Sequence, residues 1–300
     1  MMTTRGVRRW GLPALLLLLT ALIFPGSAAA GLDGRYVALG DSAAAGPLIP
    51  LPDLASPGCI RSTANYPKLA AHRLGLPITD VSCSGATTAD LTGSQSTPLG
   101  SVPPQFNALR PDTTLVTVQI GGNDAGLVGL ALSCVNLLPD PFGTSCAATN
   151  TAGGRDVYGD RIAAVAPRIA AVLDGIHQRA PNARVLVVGY TTYLRAGGCY
   201  PIVPVWARDA NYIQAKVDQL NGVLAGAAAA HSASYVDIRT PGIGKDVCAS
   251  PLTRWVEPLV PVNLAAPLHP NATGMAGMAG VLTNAVSAAG RQSPARRPAR

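Results

Sequence analysis

Short β-branched runs alternate with helix-spaced segments along most of this chain, and that rhythm constrains its fold more than any other feature. Thr113-Thr-Leu-Val-Thr-Val-Gln-Ile120 is the clearest strand, closed by Gly121-Gly122. Arg35 to Leu39, Thr79 to Ser82, Arg184 to Val188 and Ser234 to Ile238 read as four more. Tyr66 to Leu74 has helical spacing and stops at Gly75. Tyr158 to Arg179 repeats apolar residues at helical intervals (Ile162, Val165, Ile169, Val172, Leu173, Ile176), and Pro167 predicts a kink or a split within it. Asp209 to Ala230 and Thr273 to Ala288 are further helices. Strand following helix in this order predicts an α/β fold: a central, mainly parallel five-stranded sheet with helices on both faces, in three α/β/α layers. Ligands in such sheets sit at the carboxyl ends of the strands. The long irregular stretches 43–64, 125–154, 190–207 and 239–268 fall between these elements and carry cysteines.

The two ends read differently. Arg5, Arg8 and Arg9 precede an apolar run from Gly11 to Phe24, and Ala28-Ala29-Ala30 follows. That order is the anatomy of a secretory signal peptide over residues 1–30, cleaved near Ala30. The rival reading is a retained anchor, but the run is about 14 residues against the roughly 20 needed to span a bilayer. The Arg8-Arg9 pair raises a twin-arginine route without fixing it. Residues 291–300 hold nothing apolar to bury and read as a solvated basic tail. Residues 31–290 are then one domain.

Charge follows the same division. Three of the 23 basic residues lie in the leader and four in the tail, which leaves 16 against 16 acidic residues in the domain. The excess positive charge belongs to the ends, so it does not imply a nucleic-acid partner. Six cysteines in an exported chain imply three disulfides and leave no free thiol as a nucleophile. They are Cys59, Cys83, Cys134, Cys146, Cys199 and Cys248, and their order alone leaves every pairing open. No cysteine pair or Cys/His cluster has metal-ligand spacing, so neither a metal nor another cofactor is expected.

Four short motifs end or follow predicted elements. Gly40-Asp41-Ser42 follows the first strand, where Ser42 could also be a simple helix cap. Cys83-Ser84-Gly85 follows the second, and Gly85 either turns the chain or lets a backbone N–H approach a ligand. Gly121-Gly122-Asn123-Asp124 ends the clearest strand and can aim the Asn123 amide at the same crevice, or serve as a turn. His72, His177 and His231 lie within helical patterns, whereas His269 sits in a proline-bounded loop before the last helix. Asn271-Ala-Thr273 matches a glycosylation sequon, but Asn271 reads better as that helix's cap.

Taken in order, Ser42, Gly85, Asn123 and His269 resemble the four blocks of the SGNH (GDSL-type) hydrolases, across almost the whole chain after the leader. With the leader and six cysteines, the chain is similar to the secreted actinobacterial esterases and lipases of that family. The resemblance implies a flavodoxin-like sandwich. It also implies disulfides paired in chain order: Cys59–Cys83, Cys134–Cys146 and Cys199–Cys248. Ser42 is the implied nucleophile, His269 its base, and the N–H groups of Ser42 and Gly85 with the Asn123 amide the oxyanion hole. The family usually places Asp three residues before the histidine, where this chain has Ala266. Some secreted members resemble it in using a backbone carbonyl there, so the expected orienting group is Ala266 C=O and the expected machinery a Ser–His dyad. Asp237 and Asp246 are other carboxylates in the last third, with nothing to place them beside His269.

The loops near these motifs are apolar: Leu127 to Leu138, Cys199 to Trp206, and Trp255 to Leu268. An acyl-chain pocket is expected, and with it a carboxylic, acyl-lipid ester substrate. A carbohydrate acetyl-esterase with the same blocks is the alternative, and a non-catalytic secreted binder a further one. The chain is expected to act as an extracellular or cell-envelope monomer, with room for transient contact with a membrane or lipid surface.

Overall fold

The computed structural model describes residues 1–2 and 34–290; the basic-tail reading and all but the first two residues of the leader reading lie outside them. Strand β1 spans Arg35–Gly40, β2 Ile78–Asp80, β3 Gln95–Thr97, β4 Gly100–Val102, β5 Thr113–Gln119, β6 Arg184–Val188 and β7 Ser234–Val236. Five of them form one sheet in the order β2-β1-β5-β6-β7, every neighbour parallel. The helices are α1 (Ser42–Ala45), α2 (Tyr66–Leu74), α3 (Gly122–Ala125), α4 (Leu127–Ser133), α5 (Cys146–Asn150), α6 (Val157–Ala163), α7 (Ala166–Arg179), α8 (Ala207–Ala230) and α9 (Ala272–Gly290).

Successive strand residues point to opposite faces, so each strand feeds two cores. Tyr36, Ala38, Leu186 and Val188 pack with Tyr66 and Ala70 of α2 and with Met275, Met278 and Leu282 of α9. Val37, Leu39, Val185 and Val187 pack on the other side with Ile169, Leu173 and Ile176 of α7 and with Leu220 and Leu224 of α8. Each fully buried side chain of this kind stabilises the fold by about 1.5–3 kcal/mol. This is the expected three-layer sandwich.

Several boundaries differ from the sequence expectation, for local reasons. Pro167 does split the long helix: α6 ends at Ala163 and α7 carries the proline in its first turn, where no N–H is needed. The second strand sits one residue earlier and is shorter than expected. The stretch 125–154 is not wholly irregular, since it holds α4 and α5. The small antiparallel hairpin β3–β4 lies outside the main sheet.

Three disulfides join Cys59 to Cys83, Cys134 to Cys146 and Cys199 to Cys248, and no described cysteine is free. All three tie loop segments or helix ends rather than strands. The third closes the longest loop, 49 residues apart in sequence. Replacing Cys199 and Cys248 together by Ala should lower unfolding free energy by about 4 kcal/mol, read by denaturant titration.

Candidate active site

β1 delivers the chain to the carboxyl edge of the sheet, where three loops converge. Gly40 runs so close to β5 that a Cβ there would lie 2.7 Å from the Gln119 carbonyl oxygen. The next residue, Asp41, donates its N–H to that same carbonyl at 2.9 Å. Asp41, not Ser42, caps α1: its Oδ1 accepts the Ala43 N–H at 2.8 Å. Ser42 is therefore the first residue of the helix, with its hydroxyl released from capping.

That hydroxyl meets His269. Ser42 Oγ lies 2.7 Å from His269 Nε2, across 227 residues of sequence. His269 Nδ1 lies 2.7 Å from the Pro267 carbonyl oxygen. A carbonyl only accepts, so Nδ1 carries the proton and Nε2 is the acceptor for the Ser42 O–H. Burial lowers the imidazole pKa from its ordinary 6.5, and the Pro267 carbonyl opposes that shift.

The orienting carbonyl is thus Pro267, not the expected Ala266. Ala266 C=O instead accepts the backbone N–H of His269 at 3.2 Å, closing a four-residue turn. Pro267 is the second residue of that turn and Leu268 the third, with φ of 61°. A proline followed by a positive φ is the type II pattern, in which the central carbonyl is swung away from its type I direction. Asp246 is buried and bound to Arg195 and the Cys248 N–H, and Asp237 accepts from Thr240. Neither bonds to His269.

The remaining two predicted residues lie on neighbouring loops. Gly85 has φ of 82°, a conformation that favours glycine, and follows Cys83, whose N–H bonds the Gly40 carbonyl at 3.0 Å. Asn123 lies in α3, directly after β5, and its Nδ2 donates to Ala86 O at 2.8 Å. An amide has two N–H groups, so one remains for a ligand. Asn123, Ser42 and His269 line one pocket; Gly85 is tied to it through the Ala86–Asn123 bond.

Tyr190, which the sequence reading passed over, lines the same pocket and connects two of these loops. Its O–H donates to Asp41 Oδ2 at 2.5 Å and accepts the Gly122 N–H at 2.9 Å. Burial pushes the Asp41 carboxyl up to about 7, while the Tyr190 and Ala43 donors pull it the other way. Tyr190 lies just beyond the end of β6, and position at a strand's carboxyl end was the available signal.

The pocket beyond Ser42 is apolar. Leu127, Val128 and Ala131 of α4 line it together with Val203, Val205 and Val217, and Leu259 and Leu268 join His269 in the lining. Not all of the predicted apolar loop residues contribute. Trp255 and Val256 are buried in the core, and Val260, Val262 and Leu264 face solvent.

Known proteins resemble this chain over most of its length. The model of the GDSL-like lipase/acylhydrolase family matches residues 38–276. Lipase 2 of Streptomyces coelicolor is 38% identical over 271 residues, covering 87% of this chain and 88% of that protein. A lipase of Streptomyces rimosus is 34% identical, covering 89% of this chain and 94% of the relative. Among solved structures, phospholipase A1 from Streptomyces albidoflavus superposes with a TM-score of 0.69 at 28% identity, over 84% of this chain and 98% of that one.

Tyr190→Phe should destabilise the protein by about 1–3 kcal/mol, because it leaves the Gly122 N–H and the buried Asp41 carboxylate each short of a partner. Asp41 is protonated below its raised pKa of about 7 and then has less need of the phenol. The loss should therefore be larger at pH 8 than at pH 5 in urea titrations.

Proposed function

This chain belongs to the GDSL-like lipase/acylhydrolase family of carboxylic ester hydrolases, and from that premise we propose that it cleaves fatty-acyl esters with a Ser42–His269 dyad. The observation that carries the reading is the 2.7 Å Ser42–His269 hydrogen bond at the head of an apolar pocket. His269 Nε2 takes the Ser42 proton as Oγ attacks the ester carbonyl carbon. The resulting oxyanion is met by the N–H groups of Ser42 and Gly85 and by the Asn123 amide. His269 then returns the proton to the leaving alkoxide, and the alcohol departs from the acyl-enzyme. Water, deprotonated by His269, attacks that ester; the Ser42 Oγ–acyl bond breaks, His269 returns the proton to Oγ and the acid departs. The Pro267 carbonyl keeps the proton on Nδ1 throughout. The scheme calls for no metal or cofactor.

Acyl-lipid esters are favoured over sugar acetates by the apolar lining, which runs well past the serine. Val128 and Leu132 of α4, together with Val260 and Val262, are exposed and offer contact with a lipid surface. Export is supported by the leader sequence and by three disulfides, which persist in oxidising compartments.

On p-nitrophenyl esters from acetyl to palmitoyl, the wild type should turn over and prefer longer chains, and Ser42→Ala should lose about 10⁴-fold or more in kcat. An optimum at acetyl would favour the carbohydrate acetyl-esterase, and a folded, oxidised protein inert on every ester would favour a binder. The pH profile carries a second test. His269 must be neutral to act as base, and burial lowers its pKa. Activity should therefore persist below pH 6.5 and fall only as pH drops through that lowered value; an acid-limb midpoint above 6.5 would contradict the assignment.

A further inference from the structure

His269 has no carboxylate at its back, so its orientation depends on one carbonyl, Pro267 O. That carbonyl ends a segment, residues 258–268, with no helix or strand of its own and with Val260, Val262 and Leu264 in solvent. Segments of this kind open easily, and a hydrogen bond resting on one would drift with it.

Glu257 opposes that drift. Its side chain is fully buried, and its carboxylate accepts four hydrogen bonds. Oε2 takes the backbone N–H of Val262 at 2.9 Å and of Asn263 at 3.2 Å. Oε1 takes the side-chain amides of Asn263 at 2.8 Å and Asn271 at 2.6 Å. The backbone of the same residue holds the histidine turn directly: Glu257 N–H donates to His269 O at 3.0 Å, and Glu257 O accepts Leu268 N–H at 3.0 Å. One residue therefore fastens the middle of the loop, the two residues that flank and form the histidine turn, and the cap of α9. Four donors on one buried acceptor hold it as the carboxylate, with the Arg254 guanidinium 3.9 Å away.

We propose that Glu257 is a positioning residue for ester hydrolysis: it gathers Val262, Asn263 and Asn271 on one buried carboxylate and so fixes the turn whose Pro267 carbonyl orients His269. It supports at one remove the ring orientation that a bonded carboxylate supplies in a Ser–His–Asp triad, without bonding the ring itself. The proposal rests on His269 being the base. The carboxylate stands twelve residues before the histidine, in the loop's anchor rather than on the ring.

The test is Glu257→Gln in the full, oxidised chain. Glutamine keeps the size but turns one acceptor oxygen into an N–H₂ group that faces two donors. With p-nitrophenyl acetate, too short to report on the pocket wall, kcat should fall about 10- to 100-fold. KM should stay within about twofold, since the lost alignment matters to the reacting state. The hydrogen-bonded Nδ1–H resonance of His269 in the proton NMR spectrum should broaden or vanish. Asn263→Ala, at a partly exposed position, should produce a smaller fall in kcat of the same kind, and decides the matter if Glu257→Gln does not fold. Wild-type kcat with an intact Nδ1–H resonance in the folded variant, whatever its melting temperature, would overturn the proposal. Ser42→Ala run in parallel separates the two levels: activity surviving there sinks the dyad itself, whereas an inactive Ser42→Ala beside an unaffected Glu257→Gln sinks only the anchor.

Discussion

The hydrogen bond between Ser42 and His269 closes a loop of 227 residues, and most of the fold can be read as the means of closing it. A contact so distant in sequence is entropically costly to form from a flexible chain. Here it is made by two rigid bodies. Ser42 is held by the end of β1 against β5, and His269 by a turn that α9 and Glu257 hold from either side. The parallel sheet does the long-range work once, by burying both faces of its strands. The chemistry then occupies the carboxyl edge, where strand ends already lie side by side.

Around that bond, polar groups are buried in pairs that restrain one another. Asp41 lies where its carboxyl would prefer a proton, yet it takes N–H and O–H donors that favour the charge. The phenol between Asp41 and Gly122 makes the serine loop and the Asn123 loop a single unit. Asp124 adds another tie, accepting from Thr88 beyond Gly85. A displacement of one loop is thereby resisted by the others, which suits a site that must present several donors to one oxygen atom.

The layers of the fold were legible because they depend on period. Val37 and Leu39 alternate with Tyr36 and Ala38, and proline is excluded from a helix interior, so Pro167 marks the break between α6 and α7. The meeting of Ser42, Asn123 and His269 was legible through the resemblance of their order to the SGNH blocks, and their places at element ends on the sheet's carboxyl edge fit it. What escaped the sequence was anything set by a single torsion or by tertiary support. Whether Ala266 or Pro267 faces the imidazole depends on the φ of Leu268, and nothing about a leucine announces a positive φ. Helices α4 and α5 are too short for periodicity and are joined end to end by Cys134–Cys146. Glu257 escaped because its role lies in four hydrogen bonds to residues whose own types signal nothing.

Leu268 stands at the junction of two tasks. Its backbone, in a conformation that costs a side-chain-bearing residue about 1–2 kcal/mol, sets the carbonyl that steers the imidazole. Leu268 also lines the apolar pocket beside Ser42. Selectivity and reactivity therefore share one lever at this position. A substitution that reshapes the pocket there also re-aims the base, so substrate range cannot drift freely at residue 268. Val128 and Val203 line the same pocket without bonding to His269, so shape can change there and the proton path is left alone.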